Sequence, residues 1–323
     1  MKRHYKTLKI LGQEILPGKS KLINLDVAKL HTRTSVEIPI FVERSKEDGP
    51  VLLLVAGIHG DEMNGVEIIR RIIKRKLNKP DVGTIICIPV FNIFGFLNLS
   101  REFPDKRDLN RVFPGSSRGS LASRFAYYFM KHIAPVVDYA IDFHTGSANR
   151  NNFPQVRCMW KDTKTRELAL AFNAPFIVDS PFRAKTIRES LHKLGKSTLL
   201  YEGGTSLSFD ETVINTGING TLNVMHYLGI KNVKRQDIQS ENPIFIVKSK
   251  WIRTPYSGMF HSTVQNGLKV RKNEILGTIT DPYGSFERYL KSPLDGYLIA
   301  VSGAPIVHQG DAIYHLGIEK EEI

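Results

Sequence analysis

The sequence contains no long apolar segment. Its hydrophobic stretches stop well short of the roughly 18 to 20 residues that a membrane-spanning helix needs. The N-terminal stretch MKRHYKTLKILGQEI is basic, but it has neither the apolar core nor the small-residue cleavage site of a secretory signal. These absences predict that the chain has no membrane partner and that its N-terminus is part of the fold.

Cysteine is scarce as well. Cys87 and Cys158 provide neither a disulfide framework nor the paired spacing of a zinc ribbon. Cys87 lies within the apolar stretch TIICIPV, which predicts a buried free thiol. Because a chain without a disulfide framework suits a reducing compartment, we expect a cytoplasmic location.

Positive charge, in contrast, is in excess. The chain carries 45 Lys and Arg against 32 Asp and Glu, a formal net charge of +13, which raises the question of a nucleic-acid partner. The charges are spread along the sequence, which has no zinc finger, aromatic RNA-binding signature or basic tail. We therefore predict that the chain does not bind nucleic acid and that its basic surface attracts small anions.

Residues 51–65, VLLLVAGIHGDEMNG, organise the prediction of the fold. They open with a continuous apolar run, which is typical of a buried strand in a parallel sheet. The run ends at Gly57, and an amphipathic helix is predicted from about Met63. His59 and Glu62 therefore follow the C-terminal end of a central strand, where open α/β sheets bind their ligands.

Strands and helices alternate as far as about residue 228. This order predicts an α/β fold with a mostly parallel, mixed sheet that is covered by helices on both faces. Beyond a polar stretch, short β segments and turns follow, without helical periodicity. We predict a catalytic domain at 1–230, a linker at 231–242 and a small all-β domain at 243–323.

Three candidate metal ligands, His59, Glu62 and His144, lie beside predicted strand ends. Catalytic zinc commonly takes three protein ligands and keeps an open position. The His59–Glu62 spacing lets one turn present both groups to one ion, although it is not the helical HExxH motif and is a weak signal by itself. Asp61 and Asp142 are candidates for orienting the histidines from behind.

Other polar residues lie at the same predicted edge of the sheet. Glu202 follows the strand at 197–201 and is a candidate general base; a surface glutamate before a turn is the alternative interpretation. The long polar loop at 98–120 contains Arg101, Arg107 and Arg111. A guanidinium can bind a carboxylate or stabilise an oxyanion, and the alternative is that these arginines hold the loop or are solvated.

Three spaced motifs in this region resemble those of the succinylglutamate desuccinylase/aspartoacylase family, which belongs to the zinc carboxypeptidase-like hydrolases. They are HGDE at 59–62, DLNR at 108–111 and DFHTG at 142–146. The resemblance covers about residues 45 to 230, and it implies that His59, Glu62 and His144 hold one zinc ion per chain. The C-terminal part is similar to the barrel-sandwich type of β domain that family members carry.

The same resemblance implies further roles. Glu202, within YEGG, would be the catalytic base. Asn110 and Arg111 would bind the substrate carboxylate, and a loop arginine would polarise the scissile carbonyl. Arg101 is the best match for that arginine and Arg107 is the competing match, with substrate binding as its other role, so this choice stays open.

The activity that the resemblance implies is zinc-dependent cleavage, by promoted-water attack, of the amide bond of an N-acylated amino acid or a related small anionic amide. One alternative is a zinc carboxypeptidase acting on a peptide or a glutamylated tail. Another is a non-enzymatic binding module, which predicts the loss of a metal ligand or of the base, yet all four residues are present. The expected partner is a small anionic N-acyl substrate, and a homo-oligomer is compatible with the sequence.

Overall fold

The computed structural model of the chain describes residues 6–233 and 243–319. The strands of the first part are β1 (Lys9–Ile10), β2 (Gln13–Glu14), β3 (Ser20–Lys29), β4 (Ser35–Arg44), β5 (Val51–Ala56), β6 (Thr84–Ile88), β7 (Tyr139–Gly146), β8 (Arg150–Cys158), β9 (Phe176–Asp179) and β10 (Ser197–Thr205). Its helices are α1 (Met63–Lys74), α2 (Ile93–Leu97), α3 (Leu121–His132), α4 (Thr163–Phe172), α5 (Ile187–Lys193) and α6 (Glu211–Tyr227), with 3-10 turns at Leu109–Arg111 and Ala134–Val136. The second part contains β11 (Ile244–Arg253), β12 (Gly258–Ser262), β13 (Lys269–Val270), β14 (Ile275–Thr280), β15 (Glu287–Lys291), β16 (Gly296–Ser302), β17 (Ile306–Val307) and β18 (Ala312–Glu319).

The sheet of the first part is mixed, with the order β9-β8-β10-β7-β5-β6-β4-β3. The central pairs β10–β7, β7–β5 and β5–β6 are parallel, while β8 runs antiparallel to β10, and β4 runs antiparallel to β3 and β6. The expectation of a mostly parallel sheet therefore holds in part: the centre is parallel, and outside it β8 pairs in parallel with β9. The connection at 147–149 joins β7 to β8 and is far shorter than the crossover of a dozen or more residues that parallel strands need, so β8 has to run antiparallel.

Helices cover both faces of this sheet, as predicted. On one face, α1, α4 and α6 pack over the central strands; Ile68, Ile69 and Ile72 of α1 are fully buried there. Burying each such side chain contributes roughly 1.5–3 kcal/mol. On the other face, α3 and α5 pack against β3, β4 and β5. None of the described helices is both long and apolar enough to cross a membrane.

Residues 243–319 form two antiparallel sheets with a core of their own. The orders are β13-β16-β18-β11 and β15-β14-β12-β17. Phe260, Leu276, Ile279 and Tyr314 are among the buried side chains of this core. This arrangement matches the expected barrel-sandwich in part only, because one of the two sheets continues the main sheet: β11 pairs in parallel with β9, and β16 pairs with β8.

Part of the predicted domain division concerns residues that the structure does not describe. Of the predicted linker at 231–242, residues 234–242 lie outside the described residues, and so do the ends of the chain at 1–5 and 320–323. The division into 1–230, 231–242 and 243–323 therefore stays a prediction.

The turn after β5 is pressed tightly against α2. The amide of Gly60 donates to the carbonyl of Ser100 at 3.0 Å. A Cβ atom added at Gly60 would lie only 1.8 Å from the carbonyl carbon of Gly95 and 2.1 Å from the amide nitrogen of Phe96. Backbone atoms cannot give way as a flexible side chain can, so glycine is required here for this close approach.

We expect Gly60→Ala to lower the free energy of unfolding by about 3 kcal/mol, because the new methyl group forces two backbone segments apart. Denaturant unfolding measures the change. Gly195→Ala is the control: its added Cβ meets no atom within 4 Å, and only its positive φ of +74° is unfavourable, which costs about 1 kcal/mol. Equal losses for the two variants would contradict the packing argument.

Candidate metal centre and active site

The site lies at the carboxyl ends of three neighbouring strands. β7 lies between β5 and β10 in the parallel centre of the sheet. The turn after β5 supplies His59 and Glu62, and β7 and β10 supply His144 and Glu202. His144 and Glu202 are directly paired in the register of β7 and β10. Paired residues on adjacent strands project to the same face, so the side chains of Glu202 and His144 share one face of the sheet.

The three predicted metal ligands converge. His59, Glu62 and His144 are only 3%, 2% and 4% exposed. Glu62 lies between the two histidines: its Oε1 is 2.8 Å from Nδ1 of His59 and its Oε2 is 2.8 Å from Nδ1 of His144. One potential ligand atom from each residue lies within 4.8 Å of the others, close enough for all three to hold one ion.

A carboxylate orients each histidine from the opposite side of the ring. Nε2 of His59 lies 3.1 Å from Oδ1 of Asp108, and Nε2 of His144 lies 2.9 Å from Oδ2 of Asp142. Such carboxylate–histidine pairs are typical of metal sites, because they fix the ring and strengthen its free nitrogen as a ligand. This donor set therefore fits a divalent metal ion.

The outer carboxylates are only partly those that the sequence indicated. Asp142 contacts His144, as we expected of it. At His59 the orienting carboxylate is Asp108 of the DLNR motif, where we had considered Asp61. Asp61 bonds neither histidine; burial, followed by the charge of Glu62, raises the pKa of its carboxyl group.

The cluster is strongly coupled electrostatically. Burial alone would raise the pKa of Glu62, but His59 and His144 outweigh it and hold this pKa well below its usual range. Burial would likewise lower the pKa of His144, yet Asp142 and Glu62 raise it well above its usual range. The carboxylate thus requires positive charge beside it, and a bound cation would supply that charge in place of protons.

Of the two competing loop arginines, Arg101 is the one that touches the cluster. Its Nη1 lies 3.4 Å from Oε1 of Glu62 and donates to Oγ of Ser147 at 2.7 Å, while its Nη2 donates to Oδ2 of Asp108 at 2.7 Å. Arg107 points elsewhere: its side chain is 54% exposed and lies 3.4 Å from Oδ2 of Asp105.

Asn110 and Arg111 lie in the 3-10 turn at Leu109–Arg111. Oδ1 of Asn110 accepts from the amide of Ile187 at 3.0 Å and so fixes the start of α5. The Arg111 guanidinium is half-buried, and burial, together with the nearby charges of Arg183 and Arg101, lowers its pKa against the opposing effect of Asp108. A cavity of about 430 Å³ opens beside it; its lining includes Arg107, Arg111 and Lys185.

Glu202 has a partner that sequence reasoning missed. Its carboxylate forms an ion pair with the guanidinium of Arg157 on β8. Ser147, which contacts both Glu62 and Arg101, was missed as well, although it directly follows the DFHTG motif. No local signal marks Arg157, because its place beside Glu202 depends on the pairing of β8 with β10.

Comparisons with known proteins agree with this geometry. The family model of the succinylglutamate desuccinylase/aspartoacylase catalytic domain matches residues 48–228, which confirms the predicted resemblance. N-alpha-acetyl-L-2,4-diaminobutyric acid deacetylase from Halomonas elongata is 28% identical over 295 residues, which cover 86% of this chain and 85% of that protein.

Solved structures share the fold over most of the chain. A succinylglutamate desuccinylase/aspartoacylase from Rhodobacter sphaeroides has a TM-score of 0.84 at 24% identity and covers 94% of this chain and 96% of its own. The product-bound ectoine utilization protein EutE (DoeB) from Ruegeria pomeroyi has a TM-score of 0.82 at 24% identity, with coverage of 93% and 95%. At these identities the likeness shows the fold alone.

We expect Asp108→Ala to weaken the affinity for a divalent metal by roughly 10- to 100-fold, because the His59 ring loses the partner that orients it. Competition with a chelator, with zinc as the probe ion, measures the change. Asp105→Ala in the same loop is the control, since Asp105 contacts Arg107 and not the cluster. Equal affinities for the two variants would contradict the orienting role of Asp108.

Proposed function

The chain belongs to the succinylglutamate desuccinylase/aspartoacylase family, and on this basis we propose that it is a zinc-dependent hydrolase that cleaves the amide bond of an N-acylated amino acid or a related small anionic amide. One observation carries the proposal. Two histidines and a glutamate converge at the ends of neighbouring strands, and a further glutamate is paired in register with one of those histidines.

His59, Glu62 and His144 would hold the zinc ion, because two imidazoles and one carboxylate are a common ligand set for catalytic zinc. Bound zinc lowers the pKa of a water molecule and polarises a carbonyl oxygen. Asp108 and Asp142 keep the two imidazole rings turned so that Nδ1 of each faces Glu62.

Glu202 is the proposed general base. Its carboxylate would accept a proton from the attacking water and return it to the nitrogen of the leaving amine. The new C–O bond forms first and gives a tetrahedral oxyanion; the amide C–N bond then breaks as Glu202 protonates the nitrogen, which releases a carboxylate and an amine. The register pairing of Glu202 with His144 supports this role, since both side chains belong to the same face of the sheet.

Arg101 is the proposed group that polarises the scissile carbonyl. The contacts of its Nη1 with Glu62 and Ser147 support this choice over Arg107, because a donor must lie beside the reacting oxygen to stabilise its developing charge. Asp108 holds the guanidinium from behind through Nε and Nη2.

Asn110 and Arg111 are the proposed ligands of the substrate carboxylate. The positive charges of Arg101, Arg111 and Arg183 lie close enough to influence one another, with Asp108 as the opposing charge. This local excess of positive charge favours an anionic substrate. Arg107 shares the cavity beside Arg111 and would assist binding there.

The named activity of the Halomonas elongata relative supports an N-acyl amino acid as the substrate class. A zinc carboxypeptidase that acts on a peptide or a glutamylated tail uses the same chemistry, so the substrate panel must separate the two. A non-enzymatic binding module would hold its ligand without turnover. We propose a cytoplasmic location, because the sequence has two cysteines and both side chains are buried as free thiols.

The central test is zinc content together with amine release from N-acetyl and N-succinyl amino acids, with dipeptides in the same panel. We expect near-stoichiometric zinc, and a loss of at least roughly 100-fold in kcat for Glu202→Gln with zinc retained, because that variant cannot accept the proton. Removal of zinc with a chelator should abolish turnover, and added zinc should restore it. Turnover of dipeptides alone would favour the carboxypeptidase, and zinc without any turnover would favour the binding module.

A second comparison decides between the two loop arginines. We expect Arg101→Gln to lower kcat by roughly 100-fold or more, since it removes a donor to the developing oxyanion. Arg107→Gln should act mainly on KM, because Arg107 lies outside the cluster. Steady-state kinetics of both variants measures the difference; a larger loss of kcat in Arg107→Gln would reverse the assignment.

A further inference from the structure

A second group of cationic and aromatic side chains adjoins Glu202 on the side of the C-terminal β region. Arg157 of β8 forms the ion pair with Glu202. Arg150, also on β8, lies over the indole ring of Trp251 at 5.0 Å from the ring centroid. The Trp251 ring in turn stacks on His315, with centroids 4.3 Å apart and planes 7° apart. We call Arg150, Arg157, Trp251 and His315 the junction cluster.

Strand pairing brings the junction cluster together. β8 pairs with β10 on one side and with β16 on the other, so that Asn152 is opposite both Gly204 and Ala300. Ala300 is opposite His315, which is opposite Trp251. A continuous row of paired residues on neighbouring strands thus leads from Gly204 of β10, two residues beyond Glu202, to Trp251 in the C-terminal part.

Several buried polar atoms in this region have no hydrogen-bond partner among the described residues. His315 is only 6% exposed, and its Nδ1 has no hydrogen-bond partner in the part of the chain that the structure describes. Nε of Arg157, a hydrogen-bond donor, is likewise buried and without a partner among the described residues. Buried polar groups are normally paired, because leaving one unmet destabilises the fold. These atoms therefore indicate a place that takes a polar ligand.

The charge balance indicates which kind of ligand fits. Arg150 makes no ion pair with any described residue, and Arg157 has the single carboxylate of Glu202. His315 adds no compensating charge, since burial and then the charges of Arg157 and Arg150 lower its pKa to about 3 and keep the ring neutral. With Glu202 as the one carboxylate beside Arg150 and Arg157, the junction cluster carries one positive charge in excess, which favours an anionic ligand.

We propose that the junction cluster is a specificity subsite that binds a carboxylate of the substrate, with Arg150 and Arg157 as its donors. This inference rests on the proposed function and extends it. Arg111 and the junction cluster would each take an anionic group, so the C-terminal β region would select the substrate directly through Trp251 and His315.

Binding can be measured without catalysis. The chain contains two tryptophans, so Trp160→Phe leaves Trp251 as the single indole fluorophore. Titration with succinate should change its emission, while succinamate, in which an amide replaces one carboxylate, should bind more weakly. Arg150→Gln in the same background should weaken succinate binding by roughly tenfold or more, because it removes a charged donor. If Trp160→Phe does not fold, calorimetric titration of the otherwise unchanged chain makes the same comparison.

Lys250→Gln is the matched control. It removes one positive charge from the residue next to Trp251 on β11, but Lys250 is exposed and has no part in the junction cluster. Unchanged succinate affinity in Lys250→Gln, with loss in Arg150→Gln, supports the subsite. Equal affinities in the two variants, or no response of Trp251 to succinate, would overturn it.

Turnover separates this inference from the proposed function. Two matched substrate pairs, N-succinyl against N-succinamoyl alanine and N-acetyl-glutamate against N-acetyl-glutamine, vary the charge on each side of the scissile bond. We expect a preference for the carboxylate member of one pair, lost in Arg150→Gln through KM with kcat retained. Turnover with an unchanged preference would overturn the subsite alone. Absence of all turnover would overturn the proposed function, and the succinate titration would then decide on the subsite.

Discussion

A buried carboxylate that needs positive charge around it is the constraint on which the site depends. Glu62 is almost fully buried, and an ionised carboxylate in such a place is stable only when it is paired and hydrogen-bonded. His59 and His144 hydrogen-bond its two oxygens and Arg101 lies beside it, while Asp108 and Asp142 contact the far sides of the two rings. His59, Glu62 and His144 thus bring one potential ligand atom each within reach of a single metal ion, whose positive charge would stabilise the buried carboxylate.

The parallel centre of the sheet is what makes this arrangement possible. The ends of β5, β7 and β10 lie at one edge, so residues far apart in the chain meet there without a specialised loop for each. Register then decides the detail: Asp142 and His144 project from the same face of β7, and Glu202 is opposite His144. A slip of one residue would turn Glu202 away from the cluster.

Much of this could be predicted from the sequence, because the signals were local. His59 and Glu62 stand in one turn after an apolar strand, and Glu202 directly follows another strand. The orientation of β8, the Arg157 partner of Glu202 and the row from β8 to Trp251 could not be predicted in this way. They depend on which strands become neighbours, and hydrophobic periodicity identifies a strand without naming its partner. The continuation of the main sheet through β11 and β16 was missed for the same reason.

The continuation of the main sheet through β11 has a consequence for any chain in which the C-terminal β region is missing or unfolded. β9 would be the last strand of the main sheet without β11, with its amide and carbonyl groups unpaired and Phe176 and Val178 deprived of their contacts with Ile246 and Ile299. An uncovered apolar edge strand is a template for pairing with another molecule and a common origin of aggregation. The C-terminal β region therefore also covers the edge of the main sheet. A truncated chain that lacks this region would expose an aggregation-prone edge strand.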